Sequence, residues 1–103
     1  MRVHAAIAAL GVVLMAAPGE AEEGEYGVLF QAPGVEETFY ACSACHSEKL
    51  VAQQGLPRER WERLLDWMVA EQGMTELEPE ERAIILDYLT THYGPDRPHF
   101  QRP

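Results

Sequence analysis

A chain of 103 residues holds one domain at most, and 17 acidic against 8 basic side chains leave it at a net charge of −9. That balance excludes nucleic acid as a partner, since phosphates are bound by Lys and Arg. It favours steering toward a basic protein face, with plain solubility as the simpler use of the same charge.

The first segment, 1–21, opens weakly positive at Arg2 and His4, runs uncharged and apolar from Ala5 to Ala17, and turns polar at Pro18-Gly19-Glu20-Ala21. This is the pattern of a secretory signal peptide cleaved near Ala21, which implies export to the periplasm. The apolar run falls short of the roughly 17–25 residues of a spanning helix, so the mature form is expected to have no membrane span. Cleavage removes one base, Arg2, and one acid, Glu20, and leaves the charge at −9. What remains is near the size, about 70–80 residues, at which a hydrophobic core rarely suffices without a staple.

Segment 22–33, within "AEEGEYGVLFQAPG", is expected as a flexible N-terminal arm whose later apolar residues pack as an extended lead-in. The domain proper spans 34–94. Pro33-Gly34 breaks the chain, and "VEETFYACSACH" then reads as a short helix with Glu36 and Glu37 in its first turn and Cys42, Cys45 and His46 at its C-terminal end. "SEKLVAQQGL" reads as a loop. A second helix starts around Pro57 and ends before Gly73, with Trp61, Leu64, Leu65 and Met68 at i, i+3, i+4, i+7 on one face. After the loop "GMTELE" a third helix starts near Pro79 and stops before Gly94-Pro95, with Ile85, Tyr88, Leu89 and His92 on one face. The tail, 95–103, holds Pro95, Pro98 and Pro103 and is expected to be irregular. "ERWER" and "EPEERA" read as solvated helix faces. The fold class is all-α, with three main helices.

The stretch "CSACH" carries the chemistry. A structural zinc site takes four ligands, whereas Cys42, Cys45 and His46 are three, and His92 and His99 lie far off in the sequence. A thioredoxin-like pair wants a strand ahead of it, and no strand pattern precedes Cys42. A disulfide across two residues closes too small a loop to stabilise much. C-x-x-C-H is the attachment motif of c-type haem: residues three apart on a helical turn share a face, so Cys42 and Cys45 reach the two vinyl groups of one porphyrin, and His46 presents an imidazole to the iron. One covalent haem c also supplies the missing staple.

Over roughly Glu36 to Gly94 the chain resembles the small single-haem cytochromes c, with the attachment motif on an N-terminal helix and "EERAIILDYLTTHYG" as the C-terminal helix that crosses it in that family. More narrowly, "CSACHS", "RWERLLDWM" and "ILDYLTTHYG" are similar to the haem c subunits of bacterial sulfite dehydrogenases and related haem domains of periplasmic dehydrogenases. The likeness rests on "CHS", Trp61, Met68 and the "DYL…YG" ending. It implies a cytochrome c-like domain around a covalently attached haem.

An axial thioether would make the haem six-coordinate and raise its potential, whereas an open position would let it bind small gases. Past residue 21 the methionines are Met68 and Met74. The resemblance favours Met68, through its spacing from Trp61, with Met74 as the alternative, since it sits in the loop where typical single-haem cytochromes place their ligand. Core packing is the plainer role for Met68, and exposure in a loop for Met74. His92 is a third and weaker candidate. Trp61, Trp67, Tyr40 and Tyr88 are expected in the pocket or core.

No nucleophile paired with a base marks a substrate site, so the chain is expected to carry electrons and not to be an enzyme itself. The resemblance implies a periplasmic dehydrogenase, of the sulfite dehydrogenase kind, as donor; the acidic charge points to a basic-faced redox protein as acceptor. The alternative is a five-coordinate haem protein that captures nitric oxide or carbon monoxide, although known four-helix gas-binding cytochromes carry the motif near the C-terminus.

Overall fold

The structure, a computed structural model, describes residues 3–6, 8–12 and 24–100. Within the expected signal segment, 3–6 and 8–12 are irregular. The remainder, with the cleavage position, lies outside the described residues, as do residues 22–23 of the arm and 101–103 of the tail. Among the described residues regular structure is helical: α1 (Val35–Ser43), α2 (Lys49–Ala52), α3 (Arg58–Gln72) and α4 (Pro79–His92). An isolated bridge joins Gly24 to Gly27, and no strand forms among the described residues. None of these helices is long and apolar enough to cross a membrane.

α4 is the central element, packed against both α1 and α3. Its Ile85, Tyr88 and Leu89 are buried, as the spacing predicts, and Leu86 joins them. From α3 come Trp61 and Leu65, and from α1 come Val35, Thr38 and Cys42. Leu65, Ile85 and Leu89 are fully enclosed, and each such side chain contributes about 1.5–3 kcal/mol of burial.

The close α1–α4 approach depends on one glycine. Gly34 precedes α1 in a left-handed conformation, φ 94°, and a Cβ there would meet Tyr88 Cβ at 2.8 Å and the Ile84 carbonyl at 3.1 Å. Any side chain at this position would push the start of α1 off α4.

The short α2 was not expected, since "SEKLVAQQGL" reads as a loop. Ser47 Oγ accepts the Lys49 amide at 3.2 Å and starts the turn, which then buries Val51 and Ala52. One helical turn is too short to leave a periodic pattern. α1 also ends earlier than expected, at Ser43, so Cys45 and His46 follow it in the turn that leads to α2.

The lead-in is packed from Tyr26 onward. Leu29 is buried, and Tyr26 meets Phe39 and Tyr40 with ring centroids 5.8 and 6.3 Å apart. Two tyrosines of the C-terminal region grip Phe30 by its backbone: Tyr88 Oη donates to the Phe30 carbonyl at 2.7 Å, and the Phe30 amide donates to Tyr93 Oη at 3.0 Å. The apolar half of segment 22–33 is therefore the packed lead-in that its residues suggest, with Leu29 buried and Phe30 held by its backbone.

The charged faces of α3 and α4 are not wholly solvated. Arg58 pairs with Asp87 at 2.6 Å, and Arg82 pairs with Asp66 at 3.0 Å while donating to the Glu62 carbonyl at 3.3 Å. Glu59, Arg60 and Arg63 face water as expected.

Candidate functional site

A cavity of about 470 Å³ opens beside α4, a size within the roughly 300–1,000 Å³ usual for cofactor and ligand pockets. α1 supplies Ala41 and Cys42, the following turn Cys45 and His46, and α2 Leu50 and Val51, with Gln54 after it. α3 supplies Trp61, Leu64, Leu65, Trp67, Met68 and Gln72; Met74 and Leu89 complete the wall. Cys42, Cys45, His46, Met68 and Met74 thus meet on one cavity, though up to 32 residues separate them in the chain. Most of the remaining lining is aliphatic or indole.

The floor is fixed by a shared acceptor. Trp61 Nε1 donates to the Tyr93 carbonyl at 3.0 Å, and the Leu56 amide donates to the same oxygen at 3.0 Å. That buried carbonyl at the end of α4 therefore sets both the indole and the start of α3. Gly73 ends α3 in a left-handed conformation, φ 74°, and both its amide and that of Met74 reach back to the Met68 carbonyl. The reversal keeps both thioethers on the cavity wall.

His46 is half-buried, with Nδ1 3.1 Å from the Ser47 carbonyl. A carbonyl can only accept, so this contact selects, for the neutral ring, the tautomer with the proton on Nδ1 and the lone pair on Nε2, the one suited to metal ligation. Cys42 is 5% exposed, and burial pushes its thiol up to about 11. Cys45 is exposed, and the two sulfurs are not bonded. A buried thiol held protonated at neutral pH is a poor redox nucleophile, which weighs against thiol–disulfide exchange here.

The other expected residues separate. Trp61 and Tyr88 are buried, whereas Trp67, 51% exposed, stands at the cavity rim. Tyr40, 60% exposed, is neither pocket nor core and packs on Tyr26 outside. His92 does not line the cavity: it packs against Phe30, Tyr88 and His99. That placement removes it as a ligand on this cavity. Leu50, Val51, Gln54 and Gln72 are lining residues the sequence did not single out, and the short apolar run "LVA" was the available signal.

Comparison with protein-family models, with characterised proteins and with solved structures finds no match for this chain.

Proposed function

We propose that the chain is a periplasmic c-type cytochrome that carries electrons, with one haem joined through thioethers at Cys42 and Cys45. The observation that carries the reading is the convergence of Cys42, Cys45, His46, Met68 and Met74 on one largely apolar cavity. When bound, the haem supplies an iron that alternates between ferric and ferrous.

The chain's own residues have distinct tasks. Cys42 and Cys45 anchor the group at two points and prevent its loss. His46, with Nδ1 beside the Ser47 carbonyl, would offer Nε2 to the iron. A methionine thioether, Met68 first and Met74 second, would be a further ligand, and thioether ligation would favour the reduced state. Trp61, Leu64, Leu65 and Leu89 exclude water, and neither Gln54 nor Gln72 can act as a nucleophile or base. Such a site suits outer-sphere electron passage better than substrate turnover.

A cytochrome c-like arrangement is part of this reading, supported by the packing of α1 and α3 on α4. Donation by a periplasmic dehydrogenase of the sulfite dehydrogenase kind rests on the sequence resemblance; a basic-faced acceptor rests on the charge of −9. Export rests on the pattern of segment 1–21.

The test is denaturing electrophoresis with haem staining, before and after acid-acetone extraction. A stained band that survives extraction, and is lost when both Cys42 and Cys45 are changed to Ala, is the expected result. An unstained band from cells competent in cytochrome c maturation overturns the proposal.

A further inference from the structure

The second half of α4 and the tail bring together two imidazoles that play no part in the cavity. His92 closes α4; the chain then turns back through Gly94 and Arg97, whose amide donates to the Gly94 carbonyl at 3.0 Å, and delivers His99. Nδ1 of His92 and Nε2 of His99 lie 3.4 Å apart. Phe30 stacks on His99 at 3.8 Å and 10°, and its centroid is 5.0 Å from that of His92. Tyr88 flanks His92 at 5.1 Å, and Tyr93 flanks His99 at 6.3 Å. The rings are therefore held in place on several sides before any ligand arrives.

As a hydrogen bond this pair is poor, because 3.4 Å lies beyond the usual ~2.7–3.2 Å of an N–H donor. As one edge of a metal site it fits well. Two nitrogens bound tetrahedrally at ~2.0–2.1 Å stand about 3.3–3.4 Å apart. A cis pair in a square-planar site with the same bond lengths stands only ~2.9 Å apart, so a tetragonal copper(II) centre fits less well.

We infer that His92 and His99 form an accessory site for a divalent borderline metal ion, zinc above all, which ties the tail to α4. Among the described residues no group of three or more His, Cys, Asp or Glu side chains gathers. The protein thus supplies two ligands and water the rest. Such a site binds reversibly and steadies the tail, unlike a closed structural zinc site.

The experiment titrates zinc chloride into the whole protein by calorimetry at neutral pH. Any thiols not already bound as thioethers are first capped with iodoacetamide, so the outcome does not depend on the haem proposal. One equivalent of zinc is expected to bind and to raise the thermal midpoint. His92→Gln and His99→Gln should each weaken binding at least about tenfold, since even the loss of a group that only orients a ligand costs about that much. Independently of any variant, zinc should shift the imidazole proton resonances of His92 and His99 together in the unaltered protein. Absence of binding, unchanged affinity in His99→Gln, or resonance shifts confined to other histidines would overturn the assignment.

Discussion

The Met74 amide donates to the Met68 carbonyl at 3.0 Å, so the two rival thioethers are linked by a backbone bond across the left-handed Gly73. Both line the cavity, but they arrive differently: Met68 from the body of α3, Met74 from the loop that follows. A helical ligand is held in register by its neighbours, whereas a loop ligand depends on the reversal at Gly73.

On that basis Met68→Ala should abolish the weak red-edge absorption of a ferric thioether-bound haem, lower the potential and open the iron to carbon monoxide. Met74→Ala should leave all three nearly unchanged. The reverse pattern assigns the ligand to the loop. If neither variant has an effect, the sixth position is open and capture of nitric oxide or carbon monoxide becomes the better function.

Two of the left-handed glycines, Gly34 and Gly73, provide a packing test. Gly73 has open space where a Cβ would go, so Gly73→Ala carries only the conformational penalty of roughly 1–2 kcal/mol. Gly34→Ala adds to a similar penalty a clash with Tyr88 Cβ and the Ile84 carbonyl, and overpacking costs a further ~1–3 kcal/mol. Denaturant midpoints should rank wild type above Gly73→Ala, and Gly73→Ala above Gly34→Ala. Equal losses would mean that α1 and α4 are not in the close contact described.

Thiol reactivity should be unequal in chain prepared without haem. Cys45 is exposed and Cys42 is buried with its thiol held protonated, so iodoacetamide should label Cys45 well before Cys42 under native conditions. Peptide mapping over a time course reads the order. Simultaneous labelling would show that the α1–α4 packing does not protect Cys42.

Alkaline pH should destabilise the protein. Burial raises the Tyr88 and Tyr93 phenols above their ordinary range, and in haem-free chain it raises the Cys42 thiol to about 11. Each folded value lies above its unfolded one, so the contribution is whole below the unfolded values, about 8.5 for Cys and 10 for Tyr, and is lost as pH rises through the folded values. The urea midpoint should hold steady to about pH 8 and fall between about pH 9 and 11. Thioether formation would remove the Cys42 share and leave that of the tyrosines. A midpoint unchanged to pH 11 would contradict the burial of these groups.

The long helices were legible because each carries a stripe that survives in three dimensions: Trp61, Leu64, Leu65 and Met68 on α3, and Ile85, Tyr88 and Leu89 on α4. Pro57 and Pro79 marked their starts to within a residue. The motif residues were legible from their spacing, but not the end of the helix beneath them, since Cys45 and His46 lie past Ser43 in the turn to α2. What eluded the sequence depends on tertiary turns. His92 and His99 look remote until the chain doubles back at Gly94, and although the apolar lead-in is expected to pack, the two tyrosines some sixty residues later that hold the Phe30 peptide groups leave no mark in the local pattern.

That tyrosine grip also takes a share of any tension on the chain. Phe30 is joined through its carbonyl and its amide to Tyr88 and Tyr93, closing most of the chain into a loop. A pull on the two ends is shared by these bonds, by the contacts of Tyr26 and Val28 with Phe39, Tyr40 and Glu48 ahead of them, and by His99 stacked on Phe30 beyond them. The loop so closed contains the whole cavity wall, from Ala41 to Leu89, so the lining is bounded at both ends of its sequence by one clasp.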